Sequence, residues 1–174
     1  ALYGEKTVSG AFRSIGINRN DFVAVIRIRP DQPKDSSIIE WVAFASNAFN
    51  VLVPFYADVN EIPEYLGNTT GEVSTDNFYW SSRLIAAMAD ASYRKSIFHI
   101  ERYQEHVMSR AHELIGLCDA SLAKESDADK RLELKQKANQ ALADMLKAET
   151  ASTLDKVLYE LSNLMKNAYS RSDA

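Results

Sequence analysis

Apolar and charged positions alternate along residues 22–30, FVAVIRIRP, until Pro30 ends the pattern. A period of two predicts a half-buried strand, with Arg27 and Arg29 sharing one face. A polar loop follows, and then two apolar runs, residues 38–45 and 49–56, stand on either side of Ser46, Asn47 and Ala48. That order predicts a hairpin, because Asn tolerates left-handed backbone angles and bonds to nearby backbone. The near-continuous apolar character of the two runs predicts strands covered on both faces, as in a sheet layered with helices.

After Tyr56 the punctuation is turn-like through Asn60, Pro63, Gly67 and Gly71, and a helix cap is expected at Ser74, Thr75 or Asp76. The period then lengthens. Phe78, Leu84, Ile85, Met88 and Ala89 recur at helical spacing. A second segment from about Ser96 continues with Ile97, Ile100, Tyr103, Val107, Ala111, Leu114, Ile115 and Cys118. A third, long amphipathic pattern fills residues 128–169, with Thr150 to Thr153 as its weakest stretch and the place where a break could fall, since β-branched and hydroxyl residues lower helix propensity. No Gly or Pro follows Gly116, which argues against a linker. The chain is therefore expected to be one domain over residues 1–174 in the α+β class, with a mainly β region at 1–73 and a mainly helical region at 74–174.

Composition narrows the possible functions. The 174 residues carry a net charge of -4, the wrong sign for a nucleic-acid footprint, so no nucleic-acid partner is expected. No apolar run reaches membrane-spanning length, and no membrane partner is expected. The single cysteine cannot form an internal disulfide, which leaves the cytoplasm as the default location.

Few side chains stand out as chemistry. Cys118 lies on the apolar stripe of a helix, where a thiol serves as a small hydrophobe. His99 and His106 are seven residues apart, a poor match to the spacing of three or four that helical metal ligands use, and His112 falls off their face, so no metal site is expected. Ser81 and Ser82 suit a helix surface, and Asp76 and Asn77 suit helix caps. Asn47 and Asn50 are more interesting. At a reversal between core strands, an amide either ties the turn together or offers a donor to a substrate oxygen.

Three motifs, SNAFN at residues 46–50, VPFY at 53–56 and STDNFYW at 74–80, resemble the C-terminal part of the C69 dipeptidases, and the similarity extends over roughly residues 11–103. The resemblance implies an αββα N-terminal-nucleophile hydrolase sandwich that cleaves dipeptides through a cysteine at the mature N-terminus, with no cofactor. That thiolate attacks the carbonyl while its own α-amine handles the proton. The chain begins with Ala1, so the expectation is a C-terminal portion lacking the nucleophile, inactive alone, whose partners are dipeptide substrates through the intact enzyme and the N-terminal portion of the same protein. Related enzymes keep an arginine near the thiol, which makes Arg13 a candidate for favouring the thiolate. The family usually shows Arg-Pro where this chain has Arg13-Ser14. Helix faces and sheet edges left open in such a portion predict a homo-oligomer. The alternative from another class is a noncatalytic helical interaction or oligomerisation module.

Overall fold

A computed structural model describes residues 20–165. Three strands, β1 (Phe22–Ile28), β2 (Ile38–Phe44) and β3 (Val53–Tyr56), form an antiparallel sheet in the order β1-β2-β3. A one-turn helix α1 (Glu64–Gly67) and three longer helices follow: α2 (Phe78–Ala91), α3 (Tyr93–Leu122) and α4 (Ala128–Ser162). The fold is mixed α+β, with the strands early and the long helices late.

Register explains how the sheet sits on the helices. Ile39 pairs with Tyr56 and Trp41 with Pro54, and this face packs toward α3, where Ile39 and Tyr56 join Cys118 and Leu122 in one cluster. Residues on the opposite face, Val42, Val53 and Phe55, enter the main core with Tyr65, Leu66 and Phe78. The third side of that core is where α3 and α4 meet, through Tyr103, Val107, Leu142 and Leu146. Pro54, which has no N–H to donate, lies in an edge strand.

The hairpin forms, with different turn chemistry from that expected. Its second strand begins at Val53, because a 3-10 turn, Asn47–Phe49, occupies the connection. The left-handed residues are Ala45 and Ser46, at φ 51° and 43°, not an asparagine. Such angles cost roughly 1–2 kcal/mol for a residue with a Cβ. Bonds to the segment before β1 offset that cost: the Ala45 and Ser46 amides donate to the carbonyls of Asp21 and Asn20 at 2.9 Å each.

Four further expectations are corrected. β1 is not half-buried: Phe22, Val25, Ile26 and Ile28 are all exposed, since β1 is an edge strand and among the described residues no helix packs over it. Arg29 does not share an exposed face with Arg27. The strand ends at Ile28, and the Arg29 side chain turns inward to a carboxylate on α3. No break occurs at Thr150 to Thr153, where α4 runs through. Both threonines are buried, and Thr150 Oγ1 lies 2.7 Å from the Tyr103 hydroxyl, so contact with α3 outweighs intrinsic propensity. Finally, Ser81 and Ser82 are not on a helix surface; α2 buries both.

Candidate functional site

The three motifs owe their particularity to structure. In SNAFN, Phe49 packs against Ile85 and Ala89, and Asn50 closes the turn: its Nδ2 donates to the Phe44 carbonyl while its Oδ1 accepts the Val51 N–H at 2.7 Å. In STDNFYW, Asn77 caps α2 by accepting the Trp80 N–H at 2.9 Å, and Phe78 is wholly buried against Phe44 and Tyr65. Tyr79 donates to Asp21 at 3.1 Å and the Trp80 indole donates to the Thr70 carbonyl at 2.9 Å, so these rings fasten α2 to the loops around it. For Asn50 the geometry decides between the two roles weighed for an amide at this reversal: it ties the turn. Asn47 contributes its backbone to the start of the 3-10 turn, and its side chain lies outside the described structure. Arg13 lies outside the described residues altogether.

A polar cluster pins the β1–β2 connection onto the helices. Arg29 grips Asp119 with two bonds, Nη1 to Oδ2 at 2.5 Å and Nη2 to Oδ1 at 3.2 Å, and also donates to the Ser36 carbonyl. The Tyr56 hydroxyl donates to the same carboxylate at 2.7 Å. Beside it, Arg131 makes a two-point contact with Asp35 at 2.7 and 2.8 Å, and buried Lys135 bonds the Asp35 carbonyl at 2.7 Å and Asp58 at 3.2 Å. The Arg131 bonds hold the Asp35 carboxyl below its ordinary range. Burial pushes the Tyr56 hydroxyl up strongly, reinforced by Asp119. Such a tyrosine stays protonated and is a poor base. Cys118 sits against this cluster, its thiol pushed up by burial and its Sγ 3.7 Å from the Leu134 carbonyl. A protonated, enclosed thiol is a poor nucleophile, so the cluster is a structural clamp.

The histidines serve the α3–α4 contact. His99 lies 3.3 Å from Glu160 and His106 3.0 Å from Glu149, both reaching across to α4, while the His112 ring lies tilted against Trp41, with centroids 5.3 Å apart. Among the described residues, no group of three His, Cys, Asp or Glu side chains is placed to hold a metal ion.

The feature most suited to a ligand is a groove on the sheet face that carries Phe22, Glu40 and Phe44. It has a volume of about 370 Å³, with walls formed by Phe22, Phe44, Phe55, Ile62 and Leu66 and with Glu40 among them. Glu40 lies at the middle of β2, between Ile26 of β1 and Phe55 of β3 in the register, and is half-buried. It has no hydrogen-bond or ion-pair partner among the described residues. Sequence reasoning passed over it, although one signal was available: Glu40 is the single charge in the apolar run IIEWVAFA.

Comparison with known proteins places these features in a family context. The model of peptidase family C69 matches residues 2–106. The chain is similar to the probable dipeptidase A of Streptococcus pyogenes serotype M18, 41% identical over 162 residues, covering 93% of this chain and 33% of that protein. It is also similar to the dipeptidase of Bifidobacterium longum, 36% identical over 207 residues, covering 98% and 39%. Dipeptidase A of Lactobacillus helveticus is 29% identical over 162 residues, covering 93% and 34%. The chain spans about a third of the length of the curated relatives it matches.

Proposed function

Because the chain belongs to peptidase family C69, we propose that it is the C-terminal portion of a cysteine-type dipeptidase with an αββα N-terminal-nucleophile architecture. The observation that carries this reading is the coincidence of the family match with dipeptidase relatives aligned over 93% to 98% of the chain. In the proposed reaction, an N-terminal cysteine supplied by polypeptide outside this chain attacks the dipeptide carbonyl and forms an acyl-enzyme. The leaving amine takes a proton, and water then releases the acyl group. Arg13 is the cation proposed to favour the thiolate, and the Asn47 amide is proposed as a donor to the developing oxyanion. The enzyme works in the cytoplasm, as a homo-oligomer, without a cofactor. No helix among the described residues is long and apolar enough to cross a membrane, which accords with that location.

The described structure supports the reading over a helical docking module. The apolar stripes of α3 and α4 are largely consumed inside the molecule, where Tyr103, Val107 and Ala111 meet Leu142, Ala143 and Leu146. The sheet leaves β1 and one groove uncovered, as a portion of a larger sandwich would.

The test is hydrolysis of a dipeptide panel by this chain alone and by a form extended upstream to the relatives' length with an N-terminal cysteine. Turnover only in the extended form, abolished by changing that cysteine, is the expected result. Turnover by the chain alone that Cys118→Ala removes would overturn the assignment of the nucleophile.

A further inference from the structure

We propose that Gln104 of α3 is a positioning residue for the reaction: its donation to the Asn50 carbonyl holds a strained turn so that Asn47 keeps its place as donor to the developing oxyanion. The inference rests on the role proposed above for Asn47 within the dipeptidase reading.

Backbone strain is the starting point. Ala45 and Ser46 are the positive-φ residues other than glycine among those described, and they stand consecutively, immediately before Asn47. Neither type visits the left-handed region at ease, and such a conformation persists where its surroundings over-determine it. A turn of this kind relaxes when an anchor is removed. Asn47 moves with it, because the Ser46 dihedrals set the direction in which the chain enters Asn47.

Three sets of bonds hold the turn, and they differ in where they come from. The Ala45 and Ser46 amides reach the segment before β1, and the Asn50 side chain ties the turn to itself through the Phe44 carbonyl and the Val51 N–H. Both sets stay within the sheet and its connection. The third comes from a helix: Gln104 Nε2 donates to the Asn50 carbonyl at 2.8 Å, across 54 positions of sequence. Buried Tyr103 and Val107 seat this part of α3 in the core, so the amide is offered from a rigid element. Phe49 also docks on the helices, against Ile85 and Ala89, but apolar contact is not directional. The Gln104 bond adds direction at the end of the turn that follows Asn47.

The chemical consequence is specific. An oxyanion donor acts in the transition state, so displacing it by about 1 Å lowers kcat and leaves ground-state binding nearly intact. Loss of the Gln104 bond should therefore appear in kcat rather than in KM.

The experiment uses the polypeptide extended upstream with an N-terminal cysteine, in the native sequence and in Gln104→Met, Gln104→Lys, Asn47→Ala and the double variant Asn47→Ala with Gln104→Met. Gln104→Met keeps the length and removes the donor; kcat should fall about tenfold while KM stays within about twofold. Gln104→Lys restores a donor at similar reach and should recover most of that loss. In the Asn47→Ala background, Gln104→Met should cost almost nothing further, because the bond acts through Asn47. Kinetics are read where circular dichroism shows every variant folded. Amide hydrogen exchange reads the turn directly in the 174-residue chain, where Gln104→Met should speed exchange at Ala45 and Ser46 by about tenfold. An unchanged kcat in Gln104→Met, an equal loss in both backgrounds, or unchanged exchange at Ala45 and Ser46 would each overturn the proposal. Its failure and that of the reading beneath it are separable. Unchanged kcat in Asn47→Ala removes the donor role, and the proposal with it, while the dipeptidase stands. No hydrolysis by the extended native polypeptide sinks the dipeptidase reading and the role of Gln104 together.

Discussion

The side-chain amide of Asn139 on α4 bonds both backbone groups of Tyr56 on β3: its Oδ1 accepts the Tyr56 N–H at 2.9 Å and its Nδ2 donates to the Tyr56 carbonyl at 3.0 Å. A helix side chain here does for an edge strand what a fourth strand would do, and Asn139 is itself buried. Asn139→Leu would leave both Tyr56 groups buried and unpaired. At about 1–3 kcal/mol for each such group, the expected loss of stability is about 2–4 kcal/mol. Urea unfolding measures it, and a midpoint unchanged from the native chain would show that the edge does not depend on this amide.

Asp35 gives a pH signature. Its folded-state pKa is depressed by the Arg131 hydrogen bonds, so its stabilising contribution is complete above the unfolded value of about 4 and is lost as pH falls through the folded value. The native chain should lose stability more steeply than Arg131→Leu as pH is lowered from about 4 toward 2. Arg131 also bonds the carbonyls of Leu122 and Glu125, so the variant starts lower at every pH and only the slope reports on Asp35. Partial exposure of the Asp35 side chain keeps the difference modest.

Cys118 should be inert in the folded chain. Burial raises its pKa, which lowers the thiolate fraction near neutral pH, and the α3–sheet contact covers it. Ellman's reagent at pH 8 should react slowly with the native chain and rapidly once urea unfolds it. Rapid labelling without denaturant would contradict the enclosed position.

Ser82 offers a stabilising change. Its hydroxyl is buried in α2 without a hydrogen-bond partner, whereas neighbouring Ser81 donates to the Thr75 carbonyl at 3.0 Å. Ser82→Ala removes an uncompensated polar group and improves helix propensity, for an expected gain of about 1 kcal/mol. Ser81→Ala should do the opposite, since it deletes a made bond. Thermal unfolding of the two variants distinguishes them by sign.

The periodicity of the chain determined the kinds of element and their order. Alternation through residues 22–28 specified a strand, and the recurrence of Tyr103, Val107 and Ala111 specified a helix, because those repeats follow from backbone geometry alone. The motifs at residues 46–50, 53–56 and 74–80 also carried the family resemblance that the C69 match bears out, since turn residues and buried aromatics must recur in order for the same chain path to form.

Tertiary structure decided the fate of the polar residues. Lys135, Asn139 and Thr150 are buried, although by type each belongs on a surface. A polar side chain goes inside when a distant segment supplies its partner, as Asp35 and Asp58 do for Lys135, and local sequence holds no record of that encounter. Glu40 is the converse case. Its place in an apolar run was legible from residue types, but that no counter-charge stands beside it among the described residues emerged only when β1, β3 and α1 were brought around it, because pairing depends on which groups the fold delivers within reach.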